Sequence, residues 1–175
     1  IPAEDYLSDL NCCSKKGLIE RFDSTIGGAT VLMPLGGKYQ RTPAPGMAAK
    51  LPLAVGEDGR CPETDTATLM AYGYDPTLAK ESPFHGALYA VLDSVTKIVA
   101  MGGDRRTIRL SFQEYFEKLT ADESWGKPLA ALLGALKVQK ALEIPAIGGK
   151  DSMSGTFMDL NVPPALISFA MTTAK

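Results

Sequence analysis

Hydrophobic positions along the chain follow two spacings, and together they predict a mixture of helices and strands. After Ser82-Pro83, apolar side chains recur every three or four residues as far as Val99, which predicts a helix ending at Gly102-Gly103. Serine is a good helix N-cap, and proline is tolerated at the first helical position. A second long helix is predicted over 126–142, where leucines repeat on or near one face.

Short β-rich stretches alternate with these helices. Strands are predicted over 30–35, 51–55, 66–74, 106–112, 146–147 and 164–173, and short helices over 3–10, 15–22 and 113–119. This order favours an α+β fold with one mixed sheet and helices on one face. The other face would be bare, lined by Ala67, Leu69 and Ala71 or by Ile108 and Leu110, until a partner domain or a second copy buries it.

The predicted elements divide the chain into two parts of one structural unit. Residues 1–50 hold the N-terminal helices, a short strand and a Gly- and Pro-rich loop, and residues 51–175 hold the α+β domain. Loops as long as 36–50 tend to be functional or mobile. Ile1-Pro2 is not a natural start, which suggests a piece excised from a longer protein.

Composition narrows the possible classes of function. The 175 residues are 45% hydrophobic and 22% charged with net charge −2, which is ordinary for a soluble globular protein and predicts no nucleic-acid or membrane surface. Asp93 and Lys97 interrupt the best apolar stretch, so no membrane span is predicted. The odd cysteine count, without a Cys-x-x-Cys spacing, indicates a reduced cytoplasmic chain.

The segment 144–155 carries the densest polar chemistry. A short apolar strand leads into Gly148-Gly149, followed by Lys150, Asp151 and Ser152. Glycines permit a turn whose successive N–H groups bind an anion, and lysine attracts phosphate. The aspartate and serine offer oxygens to magnesium. A site for a phosphorylated ligand and a merely solvated turn remain equally open on this evidence.

Two other polar groups allow both structural and functional interpretations. Asp93 and Lys97 stand one helical turn apart, as a solvated ion pair or as contacts to metal and phosphate. Asp65, which follows Thr64 at a strand start, either caps a turn or ligates magnesium. The single histidine, His85, has no zinc-ligating company and is interpreted as an ordinary helix residue.

Several motifs resemble one enzyme family. They are 22–28 (FDSTIGG), 42–46 (TPAPG), 64–68 (TDTAT), 82–87 (SPFHGA), 110–116 (LSFQEYF), 148–155 (GGKDSMSG) and 159–164 (DLNVPP). Together they resemble phosphoribosylformylglycinamidine synthase, the amidotransferase of purine biosynthesis. The resemblance is to the first domain of the second of two aminoimidazole-ribonucleotide-synthetase-like halves in the large single-chain form. It implies a sheet that pairs with the matching domain into a barrel-like core.

The family resemblance also implies an activity and site residues. The parent enzyme converts formylglycinamide ribonucleotide, ATP and glutamine to the amidine, and its second half holds a magnesium–nucleotide in an auxiliary site. By resemblance, nucleotide contacts fall on Thr64, Lys97, Gly149, Lys150 and Ser152, metal ligands on Asp65 and Asp93, and a substrate-facing loop on Gly148, Asp151 and Ser152. Asp93, Lys97 and Lys150 depart from the Glu, Asn and Asn of relatives, which weakens the metal assignment.

The family's catalytic histidine motif and glutaminase cysteine are not found in this sequence. The resemblance therefore implies that the chain is inactive when isolated and that its partners are the first synthetase-like half and the glutaminase domain. In the isolated chain a homodimer is expected to substitute for the missing half. A non-catalytic scaffold that binds a nucleotide tightly, or none, remains an alternative. A related kinase is a third, which the lack of an N-terminal Asp-Asp motif disfavours.

Overall fold

A six-stranded mixed sheet carries helices on one of its faces. The computed structural model describes residues 2–10, 12–22, 29–60 and 62–175. Cys61 and most of the 22–28 motif lie outside these residues. The helices are α1 (Ala3–Ser8), α2 (Lys16–Phe22), α3 (Pro76–Glu81), α4 (Pro83–Ala100) and α5 (Asp122–Leu142), with a 3-10 turn at Arg105–Thr107. None of the described helices is long and apolar enough to span a membrane.

Strands of the large sheet come from both parts of the chain. The described strands are β1 (Thr30–Leu32), β2 (Leu35–Gly36), β3 (Thr42–Pro43), β4 (Met47–Lys50), β5 (Ala67–Gly73), β6 (Arg109–Tyr115), β7 (Ala146–Ser152), β8 (Thr156–Phe157), β9 (Leu160–Asn161) and β10 (Ala165–Ala174). The sheet order is β1-β4-β5-β10-β6-β7, while β2-β3 and β8-β9 form two small hairpins. Of the described strands in the large sheet, only β6 and β7 pair in parallel, joined by α5 as a βαβ unit.

The core lies between this sheet and the long helices α4 and α5. Leu110 and Ala170 from the sheet meet Val91 and Ile98 from α4, and all four are fully buried. Alternation along each strand sends every second side chain to this side. One polar contact lies inside the core, where the Oγ atoms of Ser94 and Ser168 are 2.9 Å apart.

The predicted start of α4 is confirmed in detail. Ser82 is the N-cap, its Oγ accepts a hydrogen bond from the His85 N–H at 3.4 Å, and Pro83 takes the first helical position. The Ser82 Oγ also lies 2.8 Å from Nδ1 of His85. His85 therefore belongs to the capping arrangement of this helix, as its interpretation as an ordinary helix residue predicts.

The α+β class and the one-sided placement of helices are confirmed, but the composition of the bare face was predicted wrongly. Ala67, Leu69, Ala71, Ile108 and Leu110 are buried on the helix side. The prediction placed these residues on the helix-free face, whereas the alternation of side chains along the strands directs them to the opposite face, towards the helices. The face without helices instead carries the alternate positions, namely Met70, Tyr72, Ile167, Phe169 and Met171.

Three local predictions were also wrong. The structure has no helix over 113–119, because β6 continues through Tyr115 between β10 and β7. It has no strand over 51–55, and it contains a helix, α3, that the sequence pattern did not suggest. The expected turn at Gly148-Gly149 is part of β7, where these glycines pair with Ser111 and Phe112 of β6.

Candidate functional site

Strand β7 presents the polar segment at the edge of the sheet. Gly148 to Asp151 are exposed and Ser152 is half-buried. The Lys150 Nζ donates a hydrogen bond to the backbone oxygen of Asp151 at 3.1 Å. Because β7 is an edge strand, its backbone groups that point away from β6 have no strand partner among the described residues. The outer edge of β7 over residues 148–152, called the β7 rim below, therefore carries Lys150, Ser152 and backbone groups that face away from β6.

Gly148 and Gly149 lie in a regular strand and do not form an anion-binding turn. Neither has a positive φ, and successive N–H groups of a strand point in opposite directions, so they do not converge on one ligand atom. A Cβ at position 149 would lie 2.4 Å from the Phe112 carbonyl oxygen. Gly149 is thus required for the close approach of β7 to β6.

Glu114 is a candidate residue that the sequence pattern did not suggest. It lies on the helix side of β6, is only 8% exposed, and stands opposite Asp151 in the β6–β7 register. Burial, and secondarily the charge of Asp151, raise the pKa of Glu114 above its ordinary value. The signal was available, since Ile108, Leu110, Phe112 and Glu114 form one alternating row in which only the last is polar.

Asp93 and Lys97 form the predicted one-turn pair on α4. The Lys97 Nζ lies 2.6 Å from an Asp93 carboxylate oxygen. The same ammonium donates to the Tyr72 carbonyl at 2.8 Å and lies 5.0 Å from the centre of the Tyr72 ring. Asp93 is exposed, at the side of a surface groove that Tyr74 and Tyr89 also line. Both charged groups are therefore already engaged with each other.

Thr64 and Asp65 lie just before β5. The Thr64 Oγ1 accepts a hydrogen bond from the Thr66 N–H at 3.1 Å, which is a local turn contact. The Asp65 side chain is exposed. The structural role of the threonine is thus visible, and the carboxylate is free to meet solvent.

The structure does not bring all the predicted site residues together. From Ala67 to Tyr72 the strand runs five residues, or about 17 Å, so Asp65 and the Asp93–Lys97 pair lie towards opposite ends of β5. Strands β5 and β7 are three spacings apart, or about 14 Å. Among the described residues no group of three or more His, Cys, Asp or Glu side chains could hold a metal ion.

The fold belongs to the class found in PurL structures. PurLQS from Thermotoga maritima superposes with a TM-score of 0.73 at 17% identity, covering 93% of this chain and 24% of that one. T. maritima PurL complexed with AMPPCP gives a TM-score of 0.72 at 16% identity, covering 95% of this chain and 25% of that one. T. maritima PurL complexed with FGAR gives 0.66 at 19% identity, covering 90% of this chain and 22% of that one.

Sequence comparison also finds PurL proteins. No protein-family model matches the chain. The phosphoribosylformylglycinamidine synthase subunit PurL of Nitrobacter winogradskyi is 27% identical over 150 residues, or 86% of this chain. The corresponding subunit of Nitrobacter hamburgensis is 27% identical over 157 residues, or 87% of this chain. The chain spans 18% of the length of each. The resemblance to phosphoribosylformylglycinamidine synthase is thereby confirmed.

Proposed function

We propose that this chain is one domain of a phosphoribosylformylglycinamidine synthase, an ATP-dependent ligase that makes a carbon–nitrogen bond with ammonia from glutamine. The observation that carries the proposal is the 27% identity to a PurL subunit over 86% of the chain. The structural likeness to PurL complexed with AMPPCP and with FGAR supports the choice of ligands. In this proposal the chain contributes phosphate contacts and part of the inter-domain core in the cytoplasm.

The rim of β7 is the phosphate-contacting part of the proposed site. Lys150 supplies a compact positive charge, Ser152 a hydroxyl, and the edge backbone supplies hydrogen-bond donors. Gly148 and Gly149 leave the backbone accessible there, and Asp151 accompanies them in the substrate-facing segment. Lys97 lies at a similar height on the sheet, since Tyr72, its contact, stands in register with Gly148 through β10 and β6.

The described residues fit a magnesium site with one protein carboxylate and not with the two that the resemblance implies. Asp65 and Asp93 lie too far apart to share one ion, and Asp93 is already paired with Lys97. Mg²⁺ is commonly held by one or two carboxylates together with phosphate oxygens and waters. We therefore propose that Asp65 is the single protein ligand of an ion that arrives with the nucleotide, with Thr64 beside it.

Isothermal titration of the chain with ADP and ATP, with and without MgCl₂, tests the proposal. Lys150→Ala should weaken nucleotide binding about tenfold, as expected for one charge-assisted contact. Lys140→Ala, a lysine in the last turn of α5, is the matched control and should bind normally. Asp65→Ala should remove only the magnesium-dependent part of the affinity. Equal affinity in Lys150→Ala and wild type would refute the β7 site.

A scaffold without turnover is the second candidate. The specific observation in its favour is the Asp93–Lys97 pair, whose ammonium already contacts Tyr72 and the neighbouring carboxylate. Such a domain would bind no added nucleotide, or would release one only on denaturation. Nucleotide analysis of the heat-denatured supernatant separates these outcomes from an exchangeable site.

The proposed partners are the other domains of the parent enzyme, namely the first synthetase-like half and the glutaminase domain. The helix-free face of the sheet supports such an association. Tyr72 and Tyr115 on this face are 58% and 41% exposed, and Phe169 and Met171 on β10, the strand between β5 and β6, are half-buried. A surface of this composition resembles the core of an interface. In the isolated chain we propose that a second copy covers it, giving a homodimer.

A further inference from the structure

A cavity of about 260 Å³ lies between α5 and the β6–β7 pair, on the side of the sheet that carries the helices. Glu114 and Asp151 line it with carboxylates, and Phe112, Leu132 and Met153 line it with apolar side chains. Pockets for drug-sized ligands measure about 300–1,000 Å³, so this one suits a smaller molecule. Gly148, Gly149 and Lys150 also line it, so the cavity adjoins the proposed phosphate rim along β7.

Glu114 borders this cavity as a mostly buried residue whose carboxylate oxygens keep contact with solvent there and have no partner among the described residues. More than nine-tenths of the residue is inaccessible to solvent, and no described residue donates a hydrogen bond or forms an ion pair with its carboxylate. Buried carboxylates are normally paired or hydrogen-bonded, because desolvation of an ionised group is costly. The side chain therefore stands in an environment that a ligand would complete.

A second carboxylate strengthens the requirement for positive charge. Asp151 stands opposite Glu114 in the register of adjacent strands, and its charge adds to the effect of burial on the Glu114 pKa. Lys150 also lines the cavity, but its Nζ donates to the Asp151 backbone carbonyl and pairs with neither carboxylate. A cation between the two acids would relieve both desolvation and repulsion.

The side chains that line the cavity indicate which kind of cation it can bind. A Mg²⁺ or Ca²⁺ ion held by two carboxylates completes its coordination with waters, and the apolar Phe112, Leu132 and Met153 give those waters no hydrogen-bond acceptor. An amidinium or ammonium group on a small apolar body matches both parts. Its cationic end would donate hydrogen bonds to Glu114 and Asp151, and its body would pack on Phe112, Leu132 and Met153.

We propose that the cavity bearing Glu114 and Asp151 binds a small organic cation, with the carboxylate of Glu114 as its principal partner. The inference does not rest on nucleotide binding at the β7 rim, because its principal partner, Glu114, lies on β6 and is not one of the proposed rim residues. Nucleotide titration of the same samples is therefore read separately, and either proposal can fail without the other.

Benzamidine is the probe, because it is cationic at neutral pH and combines a planar apolar ring with an amidinium fork. Ligand-observed NMR or calorimetry should detect its binding to the wild-type chain, and Glu114→Gln should weaken the affinity at least about tenfold. The matched control is Glu123→Gln, which removes an exposed acid from the first turn of α5 and should bind benzamidine normally. Circular dichroism checks the fold of both variants.

Two further probes, benzamide and MnCl₂, test whether binding requires a positive charge and whether an inorganic cation binds instead. Neutral benzamide should not compete, and MnCl₂ should not displace benzamidine. Absence of benzamidine binding to the wild type overturns the proposal, as does equal binding to Glu114→Gln. Equal binding of benzamide would reduce the cavity to an apolar cleft. Glu114-dependent binding of Mn²⁺ without benzamidine would make it an inorganic cation site, and this too would overturn the proposal.

Discussion

Replacement of Gly134 by alanine tests how closely α4 and α5 pack. A Cβ at this position would lie 2.0 Å from the carbonyl oxygen of Phe84, at the start of α4, whereas real Cβ atoms essentially never come within 3.0 Å of another atom. The two helix backbones would have to separate by about 1 Å, the difference between these distances. Since protein interiors are close-packed, this separation loosens the contacts along the helix pair.

The magnitude follows from two opposing effects. Alanine is favoured over glycine by about 1 kcal/mol in a helix interior. Overpacking of a close-packed site costs typically about 1–3 kcal/mol. The clash at Gly134 is with a backbone oxygen that cannot rotate away, which places the cost in the upper part of that range. We therefore expect Gly134→Ala to lower the free energy of unfolding by about 1–2 kcal/mol.

The control lies in the same helix. Gly126 has no atom within 4 Å of its ideal Cβ position, so Gly126→Ala should gain up to about 1 kcal/mol of helix propensity. Urea unfolding followed by circular dichroism measures both variants, and unchanged m-values would confirm that only stability has changed. The reasoning fails if Gly134→Ala equals or exceeds the wild type in stability, or if both variants shift in the same direction.

Three further predictions concern the core, the buried acid and the open face. Ser94→Ala removes a buried hydrogen bond to Ser168 and should cost about 1–3 kcal/mol in urea unfolding, whereas adding Ser168→Ala should cost less than the two single changes together. Because the raised pKa of Glu114 makes the folded state hold its proton more tightly, the wild type should lose stability as pH rises from 4.5 through that pKa. Glu114→Gln should lack this loss, so a constant difference between the two urea midpoints across that range would contradict the assignment. Phe169→Arg should convert the proposed dimer to monomer in light scattering while Tyr39→Arg, off the large sheet, does not, and a monomeric wild type would refute the dimer.

Sequence pattern predicted the elements whose local signals agree with their tertiary surroundings. The cap at Ser82, the helix spacing through Val99 and the strand predicted over 164–173 correspond closely to α4 and β10. In each of these, local preference and burial favour the same conformation. The residue at which α5 begins was missed by four positions, as is common for helix ends without a strong cap.

The prediction failed where pairing with distant strands overrides local preference. The segment 113–119 contains good helix formers, yet β6 is held between β10 and β7 as far as Tyr115. The same pairing draws Gly148 and Gly149 into β7 rather than a turn. This one difference also changes the candidate site, because it places Glu114 and Asp151 on adjacent strands facing one cavity.

The position of β10 has a consequence for how the protein is made. This strand, the last in the described chain, lies between β5 and β6 and is the only described strand that joins β1-β4-β5 to β6-β7 within the sheet. During synthesis on the ribosome, β5 and β6 cannot be joined through strand pairing until residues 165–174 emerge. Contacts between positions so distant in sequence slow folding, so completion of the sheet is expected to come late and to close the core in a single step.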